Sequence, residues 1–299
     1  MLKLIVDSGS TKTDWVLMGE DGKKKWSFLT QGLNPYHMSE EEILRVLRDE
    51  VWTNLSSKKS IELSELQEVY FYGSGVTEAM KPKLESCLAT VFAGAVVHAE
   101  SDMLGAARAL FEKQKGVAVI LGTGSNNGYY DGEKIVEGVP PLGYILGDEC
   151  SGTSIGKAFL RIILRNPDAA PLRDQFFEEY QLDYATIINK VYREPMANRF
   201  LASIAPFVSK EMEEHFDLLL PIVEMFNDFT SEMLCQTYKD ILERHGVDVK
   251  RAKKIPIGFV GSIAYYFRDC LVDIDKPFYV KEIVQSPMKG LMRFHTAKA

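Results

Sequence analysis

Residues 2–30 read LKLIVDSGSTKTDWVLMGEDGKKKWSFLT, and residues 117–138 read VAVILGTGSNNGYYDGEKIVEG. In the first stretch the apolar run Leu2, Leu4, Ile5, Val6 gives way to a hydroxyl-rich turn from Asp7 to Thr13. A second apolar run, an Asp21-Gly22 turn and a third run follow. Apolar runs separated by Gly and Asp turn residues predict a meander of three strands. The second stretch has the same order: apolar run, Gly-rich turn, strand, Asp131-Gly132, strand. One plan used twice predicts an internally duplicated chain, with repeats over 1–112 and 113–299.

Working outward, Ser39 and Glu42 have capping-box spacing ahead of Ile43, Leu44, Val46, Leu47 and Val51, which recur on one helical face. A strand at Val69–Tyr72, a helix from about Glu78, a strand at Val91–Val97 and a helix from about Asp102 to Gln114 complete an alternating α/β pattern. Past Gly152, apolar spacing stays helical for about a hundred residues, predicting a helical insert over about 153–250. A strand at Ile255–Val260, the turn Gly261-Ser262 with a helix, a strand at Phe278–Val284 and a helix from Met288 close the chain. That last helix is expected to pack back on the first repeat. The apolar stretch with Met225, Phe226, Phe229, Met233 and Leu234 is expected to be core or a homodimer surface.

With 46% hydrophobic and 26% charged residues the 299-residue chain has material for two cores. A net charge of −7 disfavours a nucleic-acid partner. Cys87, Cys150, Cys235 and Cys270 are scattered without CxxC spacing, which argues for reduced thiols over disulfides, zinc or an iron–sulfur cluster. The opening apolar run is interrupted by Asp7, too early for a signal peptide or membrane span. No membrane association and a cytoplasmic location are expected.

The turn Asp7-Ser8-Gly9-Ser10-Thr11-Lys12-Thr13 sets four hydroxyls, a glycine and a lysine between two strands, which suits backbone N–H groups and side-chain donors gripping a phosphate. Gly122-Thr123-Gly124-Ser125-Asn126 holds the same place in the second repeat. Two such turns are expected to hold a nucleotide's phosphates from two domains. No GxxxxGK[ST] is present, and a strand rather than a helix follows each turn, so a Walker A loop and a Rossmann fingerprint are both excluded.

DSGSTKTDW, HAESDMLGAARAL, ILGTGSNNG, LGDECSGTSIG and IGFVGSIA resemble, in order along the chain, motifs of the N-acetylglucosamine kinase and BadF/BadG/BcrA/BcrD-type ATPase family. The resemblance implies duplicated actin-like (ribonuclease H-like) ATPase domains and an ATP-dependent hexosamine kinase, with N-acetylglucosamine as the default acceptor. It implies that Gly9, Ser10, Thr11, Thr123 and Gly124 bind phosphate with Lys12 beside them. Asp7 would hold Mg²⁺ directly or through water, and Gly261 and Ser262 would line the adenine. Asp102 would accept the proton of the sugar hydroxyl, with Glu100 a weaker candidate, while Asn34, Ser125, Asn126, Gly143 and Asp148 would contact the sugar. Each position also has a plainer reading: Asp7 and Asp102 as capping residues, Asn34 as an Asn-Pro turn, Gly261-Ser262 as a helix cap.

Two departures from the family pattern stand out. Pro141-Leu142-Gly143 replaces Gly-Trp-Gly, removing an expected aromatic neighbour of the substrate, and Cys150 follows Glu149 where a small residue is usual. Cys150 is expected to be a buried small hydrophobe rather than a redox thiol. Glucosamine and N-acetylmuramate are alternative acceptors. A partner-coupled ATPase and a sugar-sensing regulator are alternative functions; the first lacks the paired cysteines its cluster would need, and the second lacks a helix-turn-helix ahead of the first strand.

Overall fold

A computed structural model describes residues 1–9, 11–58, 63–252, 254–272 and 274–296. Ser10, one of the expected phosphate ligands, lies outside them.

Strands β1 (Leu2–Ser8), β2 (Lys12–Gly19) and β3 (Lys24–Gln31) form the expected meander, because the short turns allow only antiparallel return. The capping box forms at the start of α1 (Glu40–Val46), with Ser39 Oγ accepting from Glu42 N–H and the Glu42 carboxylate accepting from Ser39 N–H. A π-helical stretch and α2 (Thr53–Ser56) continue it. Strand β4 (Leu66–Gly73), helix α3 (Lys81–Val91), strand β5 (Val96–Ser101) and helix α4 (Asp102–Phe111) follow. The strand expected at Val91–Val97 is corrected: Val91 ends α3, Phe92 caps it, and Gly94 turns the chain at φ 96° before the strand begins at Val96. An apolar pair at a helix end cannot be told from a buried strand by periodicity alone.

The sheet order is β3-β2-β1-β4-β5, with β4 parallel to β1 and β5 parallel to β4. One face packs Leu4, Val6, Trp15 and Leu17 against Ile43, Val51, Leu84 and Leu88. The other packs Ile5, Val16, Met18 and Tyr72 against Ala109 of α4 and Met288 and Leu291 of the C-terminal helix.

The second sheet contains β6 (Gly116–Leu121), β7 (Ser125–Tyr130), β8 (Ile135–Glu137), β9 (Ile255–Val260) and β10 (Phe278–Val284), in the order β10-β9-β6-β7-β8. Between β8 and β9 run α5 (Gly143–Leu146), α6 (Gly152–Arg165), α7 (Ala170–Tyr180), α8 (Tyr184–Tyr192), α9 (Ala197–Ala202), α10 (Ala205–Glu211), α11 (Phe216–Asp228) and α12 (Thr237–Arg244). Phe226, Phe229 and Leu234 are buried among Phe159, Phe176 and Phe207, so that stretch is core. Helices α13 (Ser262–Tyr266) and α14 (Met288–Thr296) complete the chain.

By compactness the chain divides into Met1–Gln114 with Tyr130–Ile135 and the stretch from Ser286, and Lys115–Tyr129 with Val136–Gln285. The repeat border at 112/113 is a different division and stays a proposal about the duplication. No helix among the described residues is long and apolar enough to cross a membrane.

Candidate active site

In the first unit the parallel register brings Asp7, Tyr72 and Glu100 level across β1, β4 and β5, and the chain turns into α4 two residues later at Asp102. Ser101, not Asp102, caps α4, its hydroxyl accepting from Leu104 N–H. Asp102 accepts from Met103 N–H through Oδ1 at 2.8 Å. Capping therefore does not account for an acidic residue at 102.

Strand alternation places Asp7 on the same sheet face as Ile5, the face that α4 covers. Asp14 is the cross-strand partner of Asp7 and shares that face, as does Lys12 two residues before it. The Asp7 carboxyl is pushed up to about 7, by burial first and then by the negative charges of Asp102 and Asp14, against the pull of Lys12. Burial also raises Asp14 and Asp102. The surplus of negative charge around Asp7 suits a cation such as Mg²⁺ held by Asp7 directly or through water, although the carboxylate oxygens of Asp7, Asp14 and Asp102 do not converge into one ligand cluster.

Glu100 forms a 2.7 Å ion pair with Lys81, which also pairs with Glu78. The Glu100 side chain is thus held by Lys81.

The first hairpin is closed by Gly9 N–H donating to Lys12 C=O at 3.0 Å. Ser8 and Thr13 are buried: their hydroxyls bond each other at 2.8 Å, and both accept from Leu33 N–H. That leaves Gly9, Thr11 and Lys12 as the exposed described members of the turn. Asn34 accepts from Tyr36 N–H through Oδ1, the Asn-Pro turn role, and lies beside Gly75.

The second unit repeats the closure, with Gly122 N–H donating to Gly124 C=O at 3.0 Å. The first turn of α6 is tied to this hairpin: Gly152 N–H donates to Gly122 C=O, and the Thr153 hydroxyl to Thr123 C=O at 2.7 Å. Ser125 N–H donates to the Asp148 carboxylate at 3.3 Å, and Asn126 Oδ1 accepts from Asn127 N–H. Burial raises the Asp148 carboxyl, opposed by that Ser125 bond. Asp148 and Cys150 both have left-handed backbone, φ 58° and 56°. Cys150 is buried, its thiol donating to Met225 C=O.

Gly261, at φ 126°, runs so close to Leu121 that a Cβ would collide with the Leu121 carbonyl. A glycine is needed there whether or not an adenine binds. Ser262 is exposed at the start of α13.

Sequence reasoning missed Asp14, although counting outward from a turn closed at Gly9 and Lys12 pairs 14 with 7. It also missed the buried Asn127, whose Oδ1 accepts from Tyr238 OH at 2.6 Å across 111 residues, a contact that no local pattern signals.

The meanders at the core of both units define an actin-like, two-repeat ATPase fold. The chain belongs to the BadF/BadG/BcrA/BcrD ATPase family, whose model matches residues 6–217. It is similar to a provisionally named N-acetylglucosamine kinase of Porphyromonas gingivalis, at 37% identity, 98% coverage of each chain and a TM-score of 0.84. A second provisionally named N-acetylglucosamine kinase, from Chromobacterium violaceum, shares the fold at 17% identity, 98% coverage of each chain and a TM-score of 0.63. So does a ROK family glucokinase of Streptomyces griseus, solved with glucose and AMPPNP, at 14% identity, 98% coverage of each chain and a TM-score of 0.54. None of the curated proteins matches the chain.

Proposed function

We propose that the chain is an ATP-dependent hexosamine kinase, working in the cytoplasm with N-acetylglucosamine as its default acceptor. The observation that carries this reading is that Asp7, at the carboxyl end of β1, and Asp102, which opens α4 just past β5, are near enough for the charge of Asp102 to raise the Asp7 carboxyl, beside a phosphate-type hairpin. The designation of the 37%-identical Porphyromonas protein supports the acceptor.

In this reading Gly9, Ser10, Thr11 and Lys12, with Thr123 and Gly124, hold the phosphates of ATP through N–H groups, hydroxyls and one ammonium. Asp7 would hold Mg²⁺ directly or through water, and the cation would supply positive charge to the transferred phosphoryl group. Gly261 and Ser262 flank the adenine. Asn34, Ser125, Asn126, Gly143 and Asp148 orient the sugar, each buried hydroxyl of which needs a partner. Asp102 receives the proton of the attacking hydroxyl. Its Oδ1 is held by Met103 N–H, which fixes the carboxylate's orientation, and burial raises its basicity.

The test is a coupled ADP-release assay with Mg²⁺-ATP against N-acetylglucosamine, glucosamine, N-acetylmannosamine, N-acetylmuramate and glucose, with mass detection of phosphosugars. Sugar-dependent ADP release with a matching phosphosugar is expected. Asp102→Asn is expected to lower turnover by at least about 100-fold while nucleotide affinity stays near wild type; unchanged turnover would remove the base role. Slow ADP release indifferent to every sugar would favour a partner-coupled ATPase.

A further inference from the structure

Helix α3 opens with two lysines, Lys81 and Lys83, and has no acidic residue in its first turn. The positive end of the helix dipole disfavours cations there, so neither lysine serves the helix itself. Lys81 is neutralised by Glu78 and Glu100, each at 2.7 Å. Lys83 has no such ion pair among the described residues. Its partly buried ammonium donates instead to two backbone carbonyls, that of Pro35 at 3.0 Å and that of Met38.

Those carbonyls belong to the turn that carries Asn34. Within it Asn34 C=O accepts from His37 N–H at 3.1 Å and from Met38 N–H at 3.0 Å, and Asn34 Oδ1 accepts from Tyr36 N–H. Just ahead, Leu33 N–H donates to the hydroxyls of Ser8 and Thr13, which tie the start of the turn to the first hairpin. Gly75, at φ 76°, lies against the Asn34 amide, where a Cβ would collide with Oδ1. Next to it Ser74 N–H donates to Ser8 C=O at 3.0 Å. Asn34 is thus held at the hairpin on one side and, through Lys83, at α3 on the other. Its Oδ1 is used within the turn, while its Nδ2 donates to none of the described residues.

We infer that Lys83 is a positioning residue for the acceptor. By drawing the Pro35 and Met38 carbonyls onto α3 it fixes the turn, and with it the direction in which Asn34 Nδ2 offers its N–H to a sugar hydroxyl. The inference rests on the kinase reading, which assigns Asn34 to the sugar. Hydrogen bonds from an ammonium are stronger than neutral ones, and these two supply a tie to α3 that the turn's own bonds do not. Small misplacements of a substrate-positioning group carry large kinetic costs.

Acceptor KM, ATP KM and kcat are measured for the wild type, Lys83→Met, Lys83→Arg, Asn34→Ala and the double variant, using the sugar that yields a phosphosugar in the panel above. Urea midpoints check folding. Lys83→Met keeps the stem and removes the donors; it is expected to raise acceptor KM about 10-fold while ATP KM and kcat stay within about twofold. Lys83→Arg restores charged donors and is expected to recover most of the loss. In the double variant acceptor KM is expected to match that of Asn34→Ala alone, because without Asn34 the clamp has nothing to position. Unchanged acceptor KM in Lys83→Met overturns the inference, and so do additive losses in the double variant. A joint rise of both KM values with a lowered urea midpoint would make Lys83 a structural tie only. Should Lys83→Met not fold, Lys83→Gln carries the same test, with a smaller rise in acceptor KM expected; failure of both neutral variants to fold also overturns the positioning role. Absence of phosphosugar from every acceptor with the wild type sinks the kinase reading, a result separate from an unchanged acceptor KM in an active enzyme.

Discussion

Asp7 carries a charge that its surroundings oppose. With its carboxyl pushed up to about 7 from an ordinary 3.8, the folded protein holds a proton there that the unfolded chain has released. Ionised Asp7 therefore destabilises the nucleotide-free protein above pH 7, and the penalty fades as pH falls toward 4. Asp7→Asn is expected to stabilise that protein at pH 8 by about 1–2 kcal/mol, a figure discounted for partial exposure, and to give no gain near pH 4. Thermal melts across pH check this. The same variant is expected to bind Mg²⁺-nucleotide more weakly, a trade of stability for function. Asp7 and Asp102 were legible as candidates from their motifs. Asp14 was not, because it gains meaning only when the hairpin register sets it opposite Asp7.

At the scale of elements, the corner between β9 and α13 has an account that motif reading did not provide. Gly261 stands where β9 passes the backbone at the end of β6, with φ 126° and no room for a Cβ against the Leu121 carbonyl. Gly261→Ala is expected to cost more than about 2 kcal/mol, from backbone strain and a displaced Leu121-Gly122 turn. A shifted urea midpoint together with weaker nucleotide binding would report both; an unchanged midpoint would show that the corner relaxes freely. The strands and helices were otherwise largely legible, since turn residues and periodicity mark them directly. The exception is β5, where a helix end rich in apolar residues resembles a strand.

At the scale of the molecule, the C-terminal helix joins the first unit through a cluster of aromatic and charged side chains. His295 packs against Tyr70 with ring centroids 3.8 Å apart and the rings tilted by 31°, and its Nε2 bonds Tyr72 OH at 2.9 Å. Tyr72 OH also accepts from Arg108. Burial first, and then the charges of Arg108 and Lys3, hold the imidazole down at about 3 from an ordinary 6.5. The unfolded chain takes up this proton below pH 6.5 and the folded one does not, so stability is lost as pH falls from 6.5 toward 3. His295→Phe is expected to remove about 2 kcal/mol of the pH dependence between pH 7 and pH 5, measured as the difference between variant and wild-type denaturation curves. A parallel shift of both curves would place the pH sensitivity elsewhere.

The duplicated plan and its two Gly-containing turns could be read from LIVDSGSTKTDW and VAVILGTGSNNG, and the helical insert from the apolar spacing past Gly152, because strand alternation, helical periodicity and turn chemistry are local properties of the chain. Which carboxylates share a face, which glycine yields to a neighbouring backbone, and that Glu100 is spent on Lys81 while Asn127 is held by Tyr238 emerged only from the fold. Those facts depend on register and on contacts between residues far apart in sequence, and no short-range pattern carries them.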